Sequence, residues 1–130
     1  MKDLSVLKKD RKLTVVFGCG GNRDREKRPK MAAIAEKYAN RTIITSDNSR
    51  NEDIKNIISD IIHGFTEGRY EVIENRLDAI RAALLCADDG DFVAIIGKGP
   101  EKYNIDSNGY NDFDEKSIVL STLEERRVVR

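Results

Sequence analysis

This chain of 130 residues has little of the chemistry that most metal sites and catalytic triads use, because it contains only two cysteines and one histidine. Cys19 and Cys86 match neither a disulfide framework nor the Cys-x-x-Cys spacing of a metal site, so reduced cytosolic thiols are expected. His63 lies on the polar side of a predicted helix and is expected to be a surface residue. No catalytic residue and no bound metal are predicted.

Long apolar runs and an excess of charge of one sign are also missing. No run approaches the ~20 apolar residues that a membrane span needs, and Met1 to Arg11 lacks the apolar core of a signal peptide. Lys plus Arg total 23 and Asp plus Glu total 23, so the formal net charge is zero. We therefore expect a soluble, cytoplasmic protein that binds neither membranes nor nucleic acid.

The length and the order of the predicted elements indicate one domain. Strands are predicted at Lys12–Phe17, Arg41–Thr45, Tyr70–Ile73 and Phe92–Ile96. Helices are predicted from Pro29 to about Asn40, at Ile54–Ile62, at Arg76–Ala87 and from Phe113 onward, after a hairpin across Ser107-Asn108-Gly109. This order predicts an α/β fold: a Rossmann-like, mostly parallel sheet with helices on both faces and a C-terminal hairpin strand. Residues 1–11 are predicted to be a lead-in segment, and residues 12–130 the domain.

Apolar spacing predicts the buried side of each helix. The four faces are Met31, Ile34, Ala35 and Tyr38; Ile54, Ile57, Ile58, Ile61 and Ile62; Leu77, Ile80, Leu84 and Ala87; and Ile118, Val119, Leu120 and Leu123. Cys86 lies beside the third face and is expected in the core. The strand at Phe92–Ile96 is apolar without alternation, so it is expected to be covered on both faces.

A glycine-rich turn, Gly18-Cys19-Gly20-Gly21, follows the first strand. Glycine is useful there because a bare backbone lets a ligand or another chain segment approach closely. The pattern is not the full Gly-x-Gly-x-x-Gly fingerprint, so a tight structural turn and a ligand site are both open interpretations. Basic residues crowd the following segment, and either a solvated loop or an anionic ligand explains them: Arg23, Arg25, Lys27, Arg28 and Lys30.

Ligands of parallel sheets bind beyond the carboxyl ends of the strands, where three turns of this chain should converge. The candidate residues on those turns are Arg23, Asp47, Asn48, Arg50, Gly97 and Glu101. Guanidinium groups bind carboxylates through paired hydrogen bonds, and a glutamate binds an ammonium group. The set therefore favours a ligand with carboxylates and an amine. The alternative is that each is a solvated loop residue.

Three motifs on these turns resemble the C-terminal domain of the Mur ligases, in particular the MurE-type enzymes. Phe17 to Asp24, followed by Lys27-Arg28-Pro29 and Met31, resembles the opening of that domain. Ser46-Asp47-Asn48-Ser49-Arg50 resembles the Asp-Asn-Pro-Arg motif of members that use meso-diaminopimelate. Gly97-Lys98-Gly99-Pro100-Glu101 resembles their Gly-Lys-Gly-His-Glu. Three positions depart from the family motifs, where Asp, Pro and His are usual: Asn22, Ser49 and Pro100. These departures bear more on which diamino acid is used than on the family assignment.

The resemblance implies a role in peptidoglycan synthesis, in which a diamino acid is added to UDP-MurNAc-L-Ala-D-Glu by an ATP-dependent amide-forming ligase. It assigns Arg23, Asn48, Arg50, Gly97 and Glu101 to the diaminopimelate site, with Asp47 beside them. ATP and Mg²⁺ would bind mainly on a central domain, and the UDP-sugar on an N-terminal domain, so the chain alone should be inactive. Gly97-Lys98-Gly99 is not a Walker motif.

Two other functions stay open on the residues alone. One is a stand-alone binding module for an amino acid or a nucleotide, without catalysis. The other is a Rossmann-like dinucleotide binder with Asp47 as the ribose-binding acid, which the incomplete glycine pattern disfavours.

Overall fold

The structure, a computed structural model, describes residues 11–21, 24–97 and 103–129. The elements in chain order are β1 (Leu13–Phe17), α1 (Lys27–Tyr38), β2 (Arg41–Ile44), α2 (Ile54–Ile62), β3 (Glu71–Val72), α3 (Arg76–Cys86), β4 (Phe92–Ile96), β5 (Tyr103–Asp106), β6 (Gly109–Asp112) and α4 (Glu115–Val129). Each strand and helix predicted within these ranges is present, with small differences at the ends. The predicted lead-in segment lies almost wholly outside the described residues.

The main sheet has the order β3-β2-β1-β4, and each neighbouring pair is parallel. Phe17 at the end of β1 pairs with Ile44 of β2 and Ile96 of β4, so these three strands end at one level. The antiparallel hairpin of β5 and β6 forms a second sheet, with Gly109 at φ 109° in its turn. The predicted Rossmann-like, mostly parallel sheet with a C-terminal hairpin is confirmed.

Alternating residues of β1 face two separate cores. Val15 and Phe17 pack with α1 and with the isoleucine face of α2, whose Ile57, Ile58 and Ile61 are buried. Val16 packs on the other side with Ala79 and Ala83 of α3 and with Ile43 of β2. Helices therefore cover both faces of the sheet, as predicted. Within the described residues, no helix is long and apolar enough to cross a bilayer.

The predicted burial of α1 and β4 was partly wrong. Ala35 is buried on the sheet, but Ile34 and Tyr38 are exposed. The small side chains of Ala32 and Ala35 bring α1 close to the sheet, which turns the larger residues toward the neighbouring edge. There they line an apolar cavity of about 270 Å³ beside β4. Since β4 is an edge strand, its ends Phe92 and Ile96 are exposed rather than covered on both faces.

The buried sides of α3 and α4 also differ from the prediction. Ile80 and Leu84 are buried as expected, but Leu77 is exposed, because alanines form the part of α3 that meets the sheet. Cys86 is exposed and does not belong to the core. On α4, Leu120 and Leu123 are exposed. Among the α4 residues whose burial is described, Thr122 is the buried one, and its hydroxyl donates to the Ile118 carbonyl at 2.7 Å.

Candidate functional site

The glycine turn after β1 packs backbone against backbone on the turn after β2. A Cβ atom at Gly18 would lie 2.2 Å from the Thr45 carbonyl oxygen, and one at Gly21 would lie 1.7 Å from that of Ser49. The Gly21 N–H donates to the Asn48 carbonyl at 2.7 Å. Close contact between the two turns therefore accounts for Gly18 and Gly21 without a ligand. It also brings the first two predicted site loops together.

Arg28 is a buried residue that holds the glycine turn in place. Its burial excludes the solvated loop residue that the sequence leaves open as one interpretation. Its side chain is 1% exposed and donates to Glu52 at 2.6 and 2.9 Å, to Asp60 at 2.9 Å and to the Gly20 carbonyl at 3.0 Å. The Glu52 and Asp60 hydrogen bonds raise the pKa of the Arg28 guanidinium above its usual value, although burial opposes them. The guanidinium thus joins the turn to Glu52, just before α2, and to Asp60 near the end of α2.

Asn48 joins the second turn to the hairpin. The residue is 6% exposed, and its Oδ1 accepts the Ile105 N–H at 2.9 Å. The Arg50 N–H in turn donates to the Ile105 carbonyl at 3.0 Å. These two hydrogen bonds attach β5 to the turn. Asn48 therefore stabilises the contact between the turn and the hairpin, in addition to the binding role predicted for it.

Arg50 has a left-handed backbone, with φ 54°, the only such non-glycine residue in the described part of the chain. Positive φ in a bulky residue is uncommon and concentrates at functional sites. Its Nη1 donates to the carbonyls of Gly21 at 3.1 Å and Asn48 at 3.2 Å. Although Ser49 replaces proline, the side chain is therefore held against the first turn, and Ser49 itself is buried.

Gly97, the first residue after β4, lies against Asp47 in the turn after β2. Gly97 has φ 125°, and a Cβ atom there would lie 2.4 Å from the Asp47 Oδ2. The other oxygen of that carboxylate accepts the Asn48 N–H at 2.8 Å. The turns after β1 and β2 and the first residue after β4 therefore lie together, as the sequence predicted.

Arg76, the first residue of α3, is a site-forming residue that sequence reasoning missed. Its side chain is 1% exposed and donates to the Ser46 and Ile96 carbonyls at 3.0 and 3.1 Å and to Glu115 at 3.0 Å. A helix N-terminus favours acids and disfavours a cation. An arginine directly after the N-cap Asn75 was thus a signal that tertiary contacts hold it there.

A cavity of about 380 Å³ opens beside these loops, lined in part by Gly18, Lys27 and Gly97. Cys19 also lines it, with Sγ 3.7 Å from the sulfur of Met31. Burial raises the pKa of the Cys19 thiol to about 11, so the thiol is protonated near neutral pH and is a poor nucleophile.

Four predicted site residues, Asp47, Asn48, Arg50 and Gly97, are thus brought together. The other two, Arg23 and Glu101, lie outside the described residues, as do Asn22 and Pro100. Among the residues that are described, no group of three His, Cys, Asp or Glu side chains is arranged to hold a metal ion.

The chain is similar to Mur ligases in sequence and in structure. The family model "Mur ligase, glutamate ligase domain" matches residues 1–99. The UDP-N-acetylmuramoyl-L-alanyl-D-glutamate–2,6-diaminopimelate ligase 1 of Clostridium acetobutylicum is 43% identical over 125 residues, which cover 92% of this chain and 26% of that protein. The corresponding ligase of Geobacillus thermodenitrificans is 44% identical over 119 residues, 90% of this chain and 24% of the relative.

A solved structure of a UDP-N-acetylmuramoyl-L-alanyl-D-glutamate–2,6-diaminopimelate ligase superposes with a TM-score of 0.83 at 38% identity, covering 95% of this chain and 27% of that one. The chain spans about a quarter of the length of the curated relatives it matches.

Proposed function

We propose that this chain, which belongs to the Mur ligase family and matches its glutamate ligase domain, is the amino-acid-binding C-terminal domain of a MurE-type ligase. The complete enzyme would add meso-diaminopimelate to UDP-MurNAc-L-Ala-D-Glu in the cytoplasm during peptidoglycan synthesis. The relatives that support this substrate carry diaminopimelate in their names.

The observation that carries the proposal is the orientation of Arg50. Within the described residues, both hydrogen bonds of its guanidinium come from Nη1, which leaves the Nη2 and Nε edge for a ligand. That edge has the two-donor geometry that binds a carboxylate in bidentate fashion. Diaminopimelate differs from lysine by one carboxylate at its far end, so Arg50 is the residue proposed to recognise it.

The remaining predicted residues are proposed to complete the site. Asn48 and Gly97 would contact the same amino-acid end, Asp47 would stay beside them, and Glu101 would bind an ammonium group, with Arg23 as a further carboxylate ligand. In the complete enzyme, ATP would phosphorylate the D-Glu carboxylate, with ATP and Mg²⁺ held mainly on other domains. This domain would hold the attacking amine in position, which converts a bimolecular attack into a nearly unimolecular one.

Replacing Arg50 tests the proposal in a protein that joins this chain to upstream Mur ligase domains. Loss of one member of a buried, hydrogen-bonded charge pair costs about 2–5 kcal/mol, so the unmodified protein should prefer diaminopimelate over lysine by tens- to thousands-fold in kcat/KM. Arg50→Ala should remove most of that preference, whereas Arg69→Ala, a matched change of an exposed arginine, should leave it intact. A protein that prefers lysine, or an unchanged preference in Arg50→Ala, would refute the role of Arg50.

A further inference from the structure

Arg76 contacts the backbone at the end of two of the strands that carry the proposed site. Nη1 donates to the Ser46 carbonyl at 3.0 Å, and Nη2 to the Ile96 carbonyl at 3.1 Å. Ser46 directly precedes Asp47, and Ile96 directly precedes Gly97. One buried guanidinium therefore holds the last peptide before each of two proposed site residues.

Holding these carbonyls also sets the direction of the next N–H groups. A trans peptide is planar, with C=O and N–H pointing in opposite directions, and the described residues contain no cis peptide bond. The N–H groups of Asp47 and Gly97 are therefore fixed away from their Arg76-bound carbonyls. Gly97, Asp47 and Arg76 are packed closely together. A Cβ atom at Gly97 would lie 2.4 Å from the Asp47 carboxylate and 3.8 Å from the Arg76 Nη2.

Glu115 fixes the guanidinium itself. Its Oε1 accepts from Nε at 3.0 Å and lies 2.9 Å from Nη2, while the Glu115 side chain is 12% exposed. The pair links the first residue of α3 to the first residue of α4. The carboxylate neutralises a buried charge and restricts the plane of the guanidinium, which decides where its two remaining donors point.

We propose that Arg76, oriented by Glu115, is a positioning residue that sets the separation and the peptide orientation of the Asp47 and Gly97 loops for the diamino acid. This role rests on the proposed function of the site. An arginine is required because its planar fork directs donors along fixed lines to separate acceptors, whereas a lysine ammonium is a compact charge on a flexible stem.

The first arm of the test uses the ligand-free chain and NMR. Arg76→Lys keeps the charge, and Glu115→Gln keeps Arg76 but removes its carboxylate partner. Both should shift the amide resonances of Asp47 and Gly97 more than those elsewhere on the sheet. Arg81→Lys is the matched control, because Arg81 also links α3 to α4 through a glutamate, Glu125, but on the exposed surface.

The second arm titrates the same proteins with meso-diaminopimelate. Displacement of a binding group by about 1 Å can cost up to ~100-fold, so Arg76→Lys should weaken binding at least about tenfold, with a smaller loss in Glu115→Gln and none in Arg81→Lys. In the protein joined to upstream domains, Arg76→Lys should raise KM for the diamino acid and leave KM for ATP unchanged. A change in stability alone would not separate these two constants.

The amide shifts and the titrations test the positioning role and the proposed function independently. If the Asp47 and Gly97 amides are no more perturbed in Arg76→Lys and Glu115→Gln than in Arg81→Lys, the positioning role is wrong whatever the ligand does. If they move but affinity is unchanged, the loops are positioned for something other than this ligand, and the proposal is also overturned. If the unmodified chain binds no diaminopimelate, the proposed function fails, while the amide shifts still decide whether Arg76 positions the loops.

Discussion

The two ends of the main sheet both carry arginines and a cavity, but Arg28 and Arg76 at the carboxyl end are buried more deeply than the arginines at the amino end. At the carboxyl end, Arg28, Arg50 and Arg76 all donate to backbone carbonyls of the strand-end loops. At the amino end, Arg41 pairs with the side chain of Glu71, and both are partly exposed. Arg126 there donates to the Ala87 carbonyl at 2.7 Å and to Asp89, whose side chain is exposed. The amino-end cavity, lined in part by Arg41 and Asp91, has about 460 Å³, against about 380 Å³ at the carboxyl end.

This difference shows why cavity size does not identify the site. A guanidinium bonded to loop carbonyls fixes the backbone, and a fixed backbone keeps ligand-binding groups at constant separations. An exposed ion pair contributes little and moves with its flexible side chains. The smaller cavity is therefore the better candidate, since Arg28 and Arg76 beside it are almost fully buried, whereas Arg41 at the amino end is partly exposed.

Removing Arg28 is expected to give the largest effect at the carboxyl end. Arg28→Met leaves Glu52, Asp60 and the Gly20 carbonyl without their buried partner, so the free energy of unfolding should fall by about 3–5 kcal/mol. Equilibrium urea unfolding measures the loss. Arg81→Met, which breaks an exposed pair, is the control and should change stability little. Equal losses in the two variants would contradict the distinction between buried and exposed arginines.

A side chain at Gly21 is expected to give the next largest effect. In Gly21→Ala the added methyl group would meet the Ser49 backbone, and overpacking of this kind costs about 1–3 kcal/mol or more. Gly68→Ala serves as the control, because Gly68 has φ 68° but a methyl group there would meet no atom within 4 Å. That change should cost only the left-handed strain of about 1–2 kcal/mol. If urea unfolding shows the larger loss in Gly68→Ala, the close contact of the two turns is not needed.

The sequence predicted the order of elements and the convergence of the loops because both follow from local patterns. The isoleucines of α2 and the Asn75 cap of α3 are examples. The sequence-based prediction failed where one side chain makes hydrogen bonds to several segments that are distant in sequence. Arg28 and Arg76 are charged residues whose carboxylate partners Glu52 and Glu115 lie 24 and 39 residues away in sequence, and helical spacing carries no sign of those partners.

The sequence also overestimated the burial of large apolar residues. Ile34 and Leu77 satisfy helical periodicity but lie outside the contact faces, since alanines form the close contacts of α1 and α3 with the sheet. Periodicity alone does not tell whether a small or a large residue lies at the centre of a helix face.

The smallest expected effect is a difference in salt sensitivity between two carboxylates. The pKa of Asp60 lies below its usual value chiefly because Arg25, which is exposed, donates to it, with Arg28 adding to the effect. The pKa of Asp91 is lowered first by the Lys12 backbone N–H and then by that of Asp88. At about 1 M salt, where screening acts within ~3 Å, the pKa of Asp60 should rise more than that of Asp91.

Carboxyl NMR titrations at low and high salt measure both pKa values. Each carboxylate is harder to protonate in the folded state, so its stabilisation is present above the usual Asp pKa of about 3.9 and is lost as the pH falls through the lowered pKa. Arg25→Gln should raise the pKa of Asp60 alone. If salt raises the pKa of Asp91 as much as that of Asp60, the two carboxylates are stabilised by the same kind of interaction, which would contradict the difference proposed between them.

An amide NMR titration of the unmodified chain with meso-diaminopimelate tests the central claim, that the carboxyl-end crevice is the amino-acid site. Binding of about 1 mM or weaker is expected, because the proposed partner domains that would enclose the ligand are absent. The resonances of Asn48, Arg50 and Gly97 should shift together, while those of Lys12 and Arg41 at the amino end stay unchanged. Shifts confined to the amino end, or tighter binding of a nucleotide than of diaminopimelate, would contradict the account.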